Sequence, residues 1–245
     1  DIAAVTGLAP PDSTPPAAIS GLTAAAGATT GSVLLSWTAP GDDGTTGTAT
    51  AYLVRYATSA ITSESAWNGA TPVTTGIPTP LVAGTAQTMT VSGLVPGNTY
   101  FFAVRAQDEE PNTAALSNSP SAVARPPSPL APGTYDDTDA SITYTGTWYA
   151  QTSGDLYNGT MRYSATIGNA VTFSVNGAQF RLLYTGHTDR GTAEVYVDGV
   201  LFATINEYRS SFARQQTWTS NVLPGAAPHT IRIVHKTAGV IDIDA

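Results

Sequence analysis

Apolar and polar residues alternate along this chain in short runs, and the runs stop at Gly, Pro, Asn, Asp or Ser. The 3.6-residue rhythm of an amphipathic helix is nearly absent. In the first half the clearest runs are "SVLLSWTA" (Ser32–Ala39), "AYLVRYAT" (Ala51–Thr58), "TMTVSGL" (Thr88–Leu94) and "TYFFAVRAQ" (Thr99–Gln107). Side chains on a strand repeat every two residues, so Tyr100, Phe102, Val104 and Ala106 share one face and Phe101, Ala103 and Arg105 the other. The second half adds "AVTFSV" (Ala170–Val175), "QFRLLYTG" (Gln179–Gly186), "AEVYVDGVLFATI" (Ala193–Ile205), "QTWTSNV" (Gln216–Val222), "HTIRIVHK" (His229–Lys236) and "VIDIDA" (Val240–Ala245). Asp198-Gly199 is a hairpin signal, because both residues tolerate the positive φ of a type I′ turn. Val195 and Val197 are then expected to face a core, with Glu194, Tyr196 and Asp198 on the reverse. The pattern predicts an all-β chain folded as two β-sandwiches in tandem.

The rhythm breaks at "SPSAVARPPSPLAPG" (Ser119–Gly133), whose prolines cannot donate to a ladder and stiffen the chain toward polyproline II. This reads as a last strand running into a semi-rigid linker over 126–133. Residues 1–14 read as an N-terminal arm too rich in Pro and Ala for a packed element. The strand pattern still runs at Ala245. Both ends suggest a section of a longer polypeptide.

Composition narrows the function. Of 245 residues, 42% are hydrophobic, enough for real cores, and only 11% are charged. Lys236 is the single lysine, and the net charge is −8, which argues against nucleic acid and against anionic membrane surfaces. No cysteine is present, which removes disulfides, thiolate catalysis and Cys-zinc sites together. No apolar run approaches the length of a transmembrane helix. Low surface charge with many Thr, Ala, Gly, Ser and Pro fits an extracellular or cell-surface setting.

Residues 15–125 resemble a fibronectin type III domain. Pro15-Pro16 with Ile19 and Leu22, Trp37 in "LLSWTAPGDDG", Tyr52 and Tyr56, and "GLVPGNTYFFAVRAQD" carry the likeness. Asn98 stands where threonine is common. The resemblance implies that Trp37 plugs the core and that Tyr100 is a corner tyrosine. No RGD tripeptide is present. Residues 134–245 resemble a galactose-binding-like jelly roll of bacterial carbohydrate-binding modules, carried by "YDDTDASITYTGTW", the "F-x-V-x-G" and "V-x-V-D-G" successions, "HTIRIVHK" and "VIDIDA". Such modules occur on secreted glycoside hydrolases, adhesins and surface-layer proteins, and fold does not decide among them.

The acidic turn Asp136, Asp137 and Asp139 poses a choice among metal site, catalytic cluster and solvated turn. In several jelly-roll carbohydrate modules a structural calcium bridges an acidic N-terminal strand and an aspartate on the last strand. The resemblance therefore implies a Ca²⁺ site among Asp136, Asp137, Asp139, Asp242 and Asp244. Asp242 and Asp244 alternate with Ile241 and Ile243, so both point to one face, and calcium takes six to eight oxygens. Asp side chains capping backbone amides in a solvated turn are the alternative. A catalytic reading is weaker: same-face carboxylates two apart on a strand lie roughly 6.5–7 Å apart, but no nucleophile elbow, HExxH or GxGxxG appears. His229 and His235 stand at opposite ends of one strand, roughly 20 Å apart.

A glycan site needs an exposed aromatic face for the sugar's C–H groups and polar partners for its hydroxyls. Tyr149, Tyr157, His187, Asp189, Arg190, Tyr208, Arg209 and Trp218 are the candidates; Trp148 reads rather as a core or edge plug, since large aromatics are usually mostly buried, and Trp218, alternating with Thr217 and Thr219, is also readable as core. Asn158-Gly159-Thr160 is a formal glycosylation sequon and a weak signal. The sequence thus points to a non-catalytic extracellular module whose partner is a polysaccharide or glycan. The alternative is a structural subunit of a surface filament, sheath or layer, partnered by copies of itself through its N-terminal arm and sheet edges.

Overall fold

The computed structural model describes residues 11–110 and 112–245. The chain divides into two compact units, one running to Gly93 and resuming over Thr99–Ala124, the other taking Leu94–Asn98 and Arg125–Ala245. Of the arm expected over 1–14, residues 1–10 lie outside the described residues.

The first unit contains β1 (Thr23–Ala26), β2 (Val33–Thr38), β3 (Ala51–Ala57), α1 (Glu64–Gly69), β4 (Thr71–Pro72), β5 (Ala86–Val91), β6 (Thr99–Gln107) and β7 (Ser121–Val123). They form a three-stranded sheet, β1-β2-β5, and a four-stranded sheet, β4-β3-β6-β7. Alternation does the sorting. Val33, Leu35 and Trp37 of β2, Met89 and Val91 of β5, and Tyr52, Val54, Phe102, Val104 and Ala106 of the other sheet are all buried. Trp37 meets Tyr52 edge to face with ring centroids 5.1 Å apart, the core-plug role its position implied. Gln87 lies in the same buried lane, and its amide is answered: Tyr52 Oη and Leu81 N–H donate to its oxygen, and its nitrogen donates to Thr79 O at 3.0 Å.

Helix α1 escaped the period-two reading because it is one short turn. Ser63 Oγ caps it by accepting the Ala66 N–H at 3.2 Å. Its Trp67 packs with Ile61, Ala70 and Ala103, which explains why Ala103, on the reverse of β6, is also buried. Arg55 and Arg105 place guanidinium carbons 5.0 and 4.9 Å from the Trp67 ring centre, and Arg105 also pairs with Glu64.

The second unit contains β8 (Pro129–Leu130), β9 (Thr143–Thr145), β10 (Tyr149–Thr152), β11 (Thr160–Ser164), β12 (Ala170–Val175), β13 (Arg181–Gly186), β14 (Thr192–Val197), β15 (Val200–Asn206), β16 (Ala213–Thr219), β17 (His229–His235) and β18 (Ile241–Ile243). One sheet runs β15-β14-β17-β12-β8, with β9 also paired to β12. The other joins β10-β11-β18 to β13-β16, since Asp244 N–H donates to Leu183 O and Leu183 N–H donates to Ala245 O. Val171, Phe173, Val195, Ile231 and Ile233 from the first sheet meet Leu182, Tyr184, Ile241 and Ile243 from the second in a single core. Burying each such side chain contributes about 1.5–3 kcal/mol.

Part of the segment expected to be a linker is in this sheet. Pro129 and Leu130 pair in parallel with Ser174 and Val175, and Leu130 O accepts the Asn176 N–H at 3.1 Å. Proline is tolerated here because a short edge strand does not need its missing donor. At the Asp198-Gly199 turn both residues have positive φ, 51° and 82°, and β14 pairs with β15 as the turn chemistry predicts. Both faces of β18 are buried. Ile241 and Ile243 enter the core, so alternation sends Asp242 and Asp244 to the opposite face, beneath loops.

Candidate functional site

Two loops of the second unit build the site. Loop 187–191 joins β13 to β14, and loop 207–212 joins β15 to β16. They run side by side: His187 bridges Tyr208 in parallel, His187 O accepts the Arg209 N–H at 3.0 Å, and Gly191 O accepts the Glu207 N–H at 3.1 Å. Gly191 N–H and Val240 N–H fasten the first loop to the approach of β18 through Val240 O and Asp189 O, both at 2.9 Å. At the surface, His187 Nδ1 lies 2.8 Å from Asp189 Oδ1, and the His187 ring meets Phe212 edge-on at 5.8 Å. Tyr208 and Phe212 are 53% and 56% exposed. A bulge in the β13–β16 pairing falls opposite, where Gln215 takes a φ of 49°. Bulges of this kind redirect side chains, and Arg214 beside it lays its guanidinium 5.0 Å from the Phe212 ring centre.

Beneath the loops lies a buried brace. Arg190 Nη2 is 3.2 Å from Asp242 Oδ2, and Arg190 Nε donates to Thr185 O at 3.1 Å. Asp242 Oδ1 accepts the Thr185 N–H at 2.8 Å, and Glu207 Oε2 accepts the Asp242 N–H at 3.0 Å. Burial, reinforced by the Asp242 charge, lifts the Glu207 carboxyl well above its ordinary range. Burial also raises Asp242, to about 6, despite Arg190. At the surface, slight burial works to raise Asp189, but the hydrogen bond from His187 and the charge of Arg190 outweigh it and hold it low.

The acidic turn does not gather five carboxylates. Asp139 Oδ1 accepts the Ser141 N–H at 2.8 Å, a turn cap, and Asp242 is engaged by Arg190 and Thr185. Among the described residues no three His, Cys, Asp or Glu side chains stand as a ready metal group, so the expected five-residue calcium site does not form as drawn. A narrower set remains. Thr160 Oγ1 donates to Asp137 Oδ1 at 2.6 Å and lies 3.2 Å from Asp136 Oδ2, while Asp244 Oδ1 accepts the Tyr157 N–H at 2.8 Å. Burial raises Asp137 and Asp244; the charge of Asp136 adds to both rises, and that of Asp137 adds to the rise of Asp244. Asp137 Oδ2 and Asp244 Oδ2 are buried with no hydrogen-bond partner, and Arg162 Nε stands 3.6 Å from the former. Orphaned buried oxygens of this kind fit a cation or an ordered water.

The remaining sequence candidates separate. Trp218 leaves the glycan set: its register with Leu182 turns it toward the core, where it lies 5.6 Å from Phe180. Trp148 likewise packs on the core and donates to Thr145 O at 3.2 Å. Tyr157 is half-buried and serves Asp244 through its backbone. Arg190 is a brace under the loop, its side chain only 10% exposed. Tyr149 is 52% exposed and stacks on Tyr163 at 5.5 Å. Pairing places Tyr149, Tyr163 and Asp242 in one row across the outer face of the sheet. His187, Asp189, Tyr208 and Arg209 are the candidates that the fold brings together. The sequence reading passed over Phe212, Glu207 and Gly186. Phe212 carried a signal, an aromatic in a Ser- and Arg-rich loop with no strand alternation to bury it.

Two sandwiches, one closed around its aromatics and one presenting them on paired loops, define a modular β-protein, and no described helix is long and apolar enough to cross a membrane. Residues 15–119 match the sequence model of the Fibronectin type III domain family, and the first unit is such a domain. The chain is 40% identical over 109 residues to an "A type blood N-acetyl-alpha-D-galactosamine deacetylase" of Flavonifractor plautii, a match covering 44% of this chain and 14% of that protein. It is 30% identical over 194 residues to "Chitinase A1" of Niallia circulans, covering 73% of this chain and 24% of that protein. A solved Paenibacillus xanthan lyase superposes with a TM-score of 0.39 at 11% identity, over 88% of this chain and 19% of that one. The chain thus spans about a quarter or less of the curated relatives it matches.

Proposed function

We propose that this chain is a non-catalytic, extracellular carbohydrate-binding module, in which the second unit is a jelly roll that holds a glycan on loops 187–191 and 207–212 and the fibronectin type III domain is a spacer. The observation that carries the reading is the exposed pair Tyr208 and Phe212 set beside the His187–Asp189 hydrogen bond. Aromatic faces take sugar C–H groups, and the adjacent polar pair takes hydroxyls. The relatives support a carbohydrate setting, since their names describe a galactosamine deacetylase and a chitinase. Binding without catalysis is favoured by the state of the acids. Glu207 and Asp242 are buried and committed to protein partners, so neither can exchange a proton with a sugar at the surface.

The test is retention of the full chain in affinity electrophoresis across a panel of polysaccharides. Slowed migration in at least one, lost in Y208A/F212A with the fold intact by circular dichroism, is the expected result. Free migration throughout overturns the reading. A structural cation is proposed between the two buried carboxylates Asp137 and Asp244, where it would neutralise the orphaned oxygens and tie the acidic turn to the last strand. A rise in the melting temperature with calcium over chelator, absent in D137N, supports it; identical melting curves reject it.

A second reading, assembly of copies through sheet edges, is favoured by the edge strand β15, where Val200 and Leu201 are 70% and 54% exposed. Sedimentation at rising concentration decides it: a single monomeric species throughout counts against assembly.

A further inference from the structure

We propose that the glycan taken by these loops is anionic, bearing carboxylate or sulfate groups, and that Arg209 is the residue that selects it. The inference rests on the glycan reading above and adds the substrate class.

Charge accounting at the loop surface leads to it. The chain as a whole carries 18 acidic and 10 basic residues, so a free guanidinium is expected to find a carboxylate nearby. Arg209 does not. It is exposed, and among the described residues no carboxylate stands within ion-pairing distance of it. Asp189, the acid of this surface, is already shared between His187 at 2.8 Å and Arg190 at 3.5 Å. Glu207 is only 2% exposed, and its carboxyl faces inward to the Asp242 N–H; its raised pKa leaves it still less charge to offer. Arg214 stacks beneath the Phe212 ring but turns its Nη1 inward, 3.6 Å from the buried Met161 sulfur, where its charge serves Asp242 and Asp244. Arg209 therefore stands at the loop surface as an exposed guanidinium without a carboxylate partner, on a molecule of net charge −8.

Position makes Arg209 more than a stray surface cation. Its backbone is pinned by the hydrogen bond to His187 O, and its stem runs over Gly186, where an added Cβ would lie 2.5 Å from Arg209 Cδ. The absence of a side chain at 186 gives the stem its bed, and the exposed rings of Tyr208 and Phe212 lie in the same loop. An aromatic platform takes the sugar face, and a guanidinium fork takes a planar carboxylate or a sulfate through paired N–H donors. A hydroxyl offers no such match.

The experiment compares charged and neutral forms of the same polymers with the full chain: polygalacturonate against its methyl ester, and dextran sulfate against dextran, by affinity electrophoresis and titration calorimetry. The expected result is binding to a charged form at least about tenfold tighter than to its neutral form, weakening with salt. R209Q should remove that advantage, and R181Q, the same charge change at an exposed position on β13, should preserve it. Equal binding of charged and neutral forms, binding of neutral polymers alone, or an R209Q effect matched by R181Q overturns the anionic choice while the glycan reading stands. No retention by any charged or neutral polymer, including the panel above, removes both.

Discussion

The two units treat the same materials differently. In the first, the large hydrophobics left exposed are aliphatic, Leu34, Leu53, Leu81, Val82 and Val123, and every Trp is buried. Its buried carboxylate Asp108 has both oxygens answered by Asn112, from N–H at 2.8 Å and from Nδ2 at 3.0 Å, and a single carboxylate oxygen among its described residues, Asp42 Oδ1, is buried without a hydrogen-bond partner. In the second, Tyr149, Tyr208 and Phe212 are more than half exposed, and Asp137 and Asp244 each keep a buried oxygen without a hydrogen bond. Unanswered burial and unburied aromatics both cost stability. A unit that keeps both of its tryptophans in the interior has the profile of a spacer. One that leaves aromatics and carboxylates unresolved has the profile of a surface waiting for a ligand.

The sharpest way to break this contrast is to damage each unit at its own aromatic. W37A removes the 4%-exposed core plug of the first unit and should cost about 3–5 kcal/mol there, seen as loss of one calorimetric transition. Polysaccharide retention by the second unit should survive. A loss of retention in a variant whose second transition is intact would show that the spacer assignment is wrong.

F212A is the complementary change. At 56% exposure the side chain contributes little to folding, so stability should stay within about 0.5 kcal/mol. Loss of the ring should weaken glycan binding by about tenfold, since it removes both the sugar platform and the Arg214 stack. Unchanged binding would move the site away from these loops, and a large fall in melting temperature would show Phe212 to be a packing residue.

The architecture was legible wherever alternation met a sheet with one face in the core. Val33, Leu35 and Trp37, or Val195 and Val197, could be read directly because period two and burial coincide there. Helix α1 was not legible, since one capped turn leaves no period to detect. Pro129 and Leu130 read as linker because proline's missing donor argues against a ladder, and only the topology reveals an edge position that needs no donor. At the site, composition in the loops pointed to His187, Asp189, Tyr208 and Arg209, but their convergence depends on two loops 20 residues apart in sequence, roughly, being bonded side by side. Asp242 was placed on the correct strand face. Its partner was mistaken, because the ligand lying over that face, Arg190, comes from another loop.

The buried brace sets a pH dependence that belongs to the second unit alone. Burial raises Glu207 well above its ordinary value of 4.5 and Asp242 from 3.8 to about 6. Between the ordinary and the raised values the folded chain holds more protons than the unfolded chain, so stability falls as pH rises through that window. The contribution is complete below the ordinary values and is lost as pH passes about 6 for Asp242. The second calorimetric transition should therefore move down by several degrees between about pH 5 and about pH 7.5, and the first should respond less. E207Q cannot ionise, and it should flatten the slope and raise the transition at the higher pH. A slope of opposite sign, or one that E207Q leaves unchanged, would remove the brace as its cause.

The smallest change is the most discriminating. G186A adds one methyl group on β13, and the atoms it meets are the Cδ, Cγ and Nε of Arg209, at 2.5, 2.8 and 3.0 Å. These belong to a flexible, exposed side chain that can swing aside, so the melting temperature should barely move. The guanidinium, however, loses its bed against the backbone and can no longer be held beside Tyr208 and Phe212. Affinity for a charged polymer should then fall toward that of its neutral form, while affinity for the neutral form is preserved. That pattern separates position from charge, because R209Q deletes the cation whereas G186A only displaces it. If G186A binds charged polymers as well as the parent chain does, Arg209 acts by long-range attraction, and the fixed fork at the loop surface is not what selects the ligand.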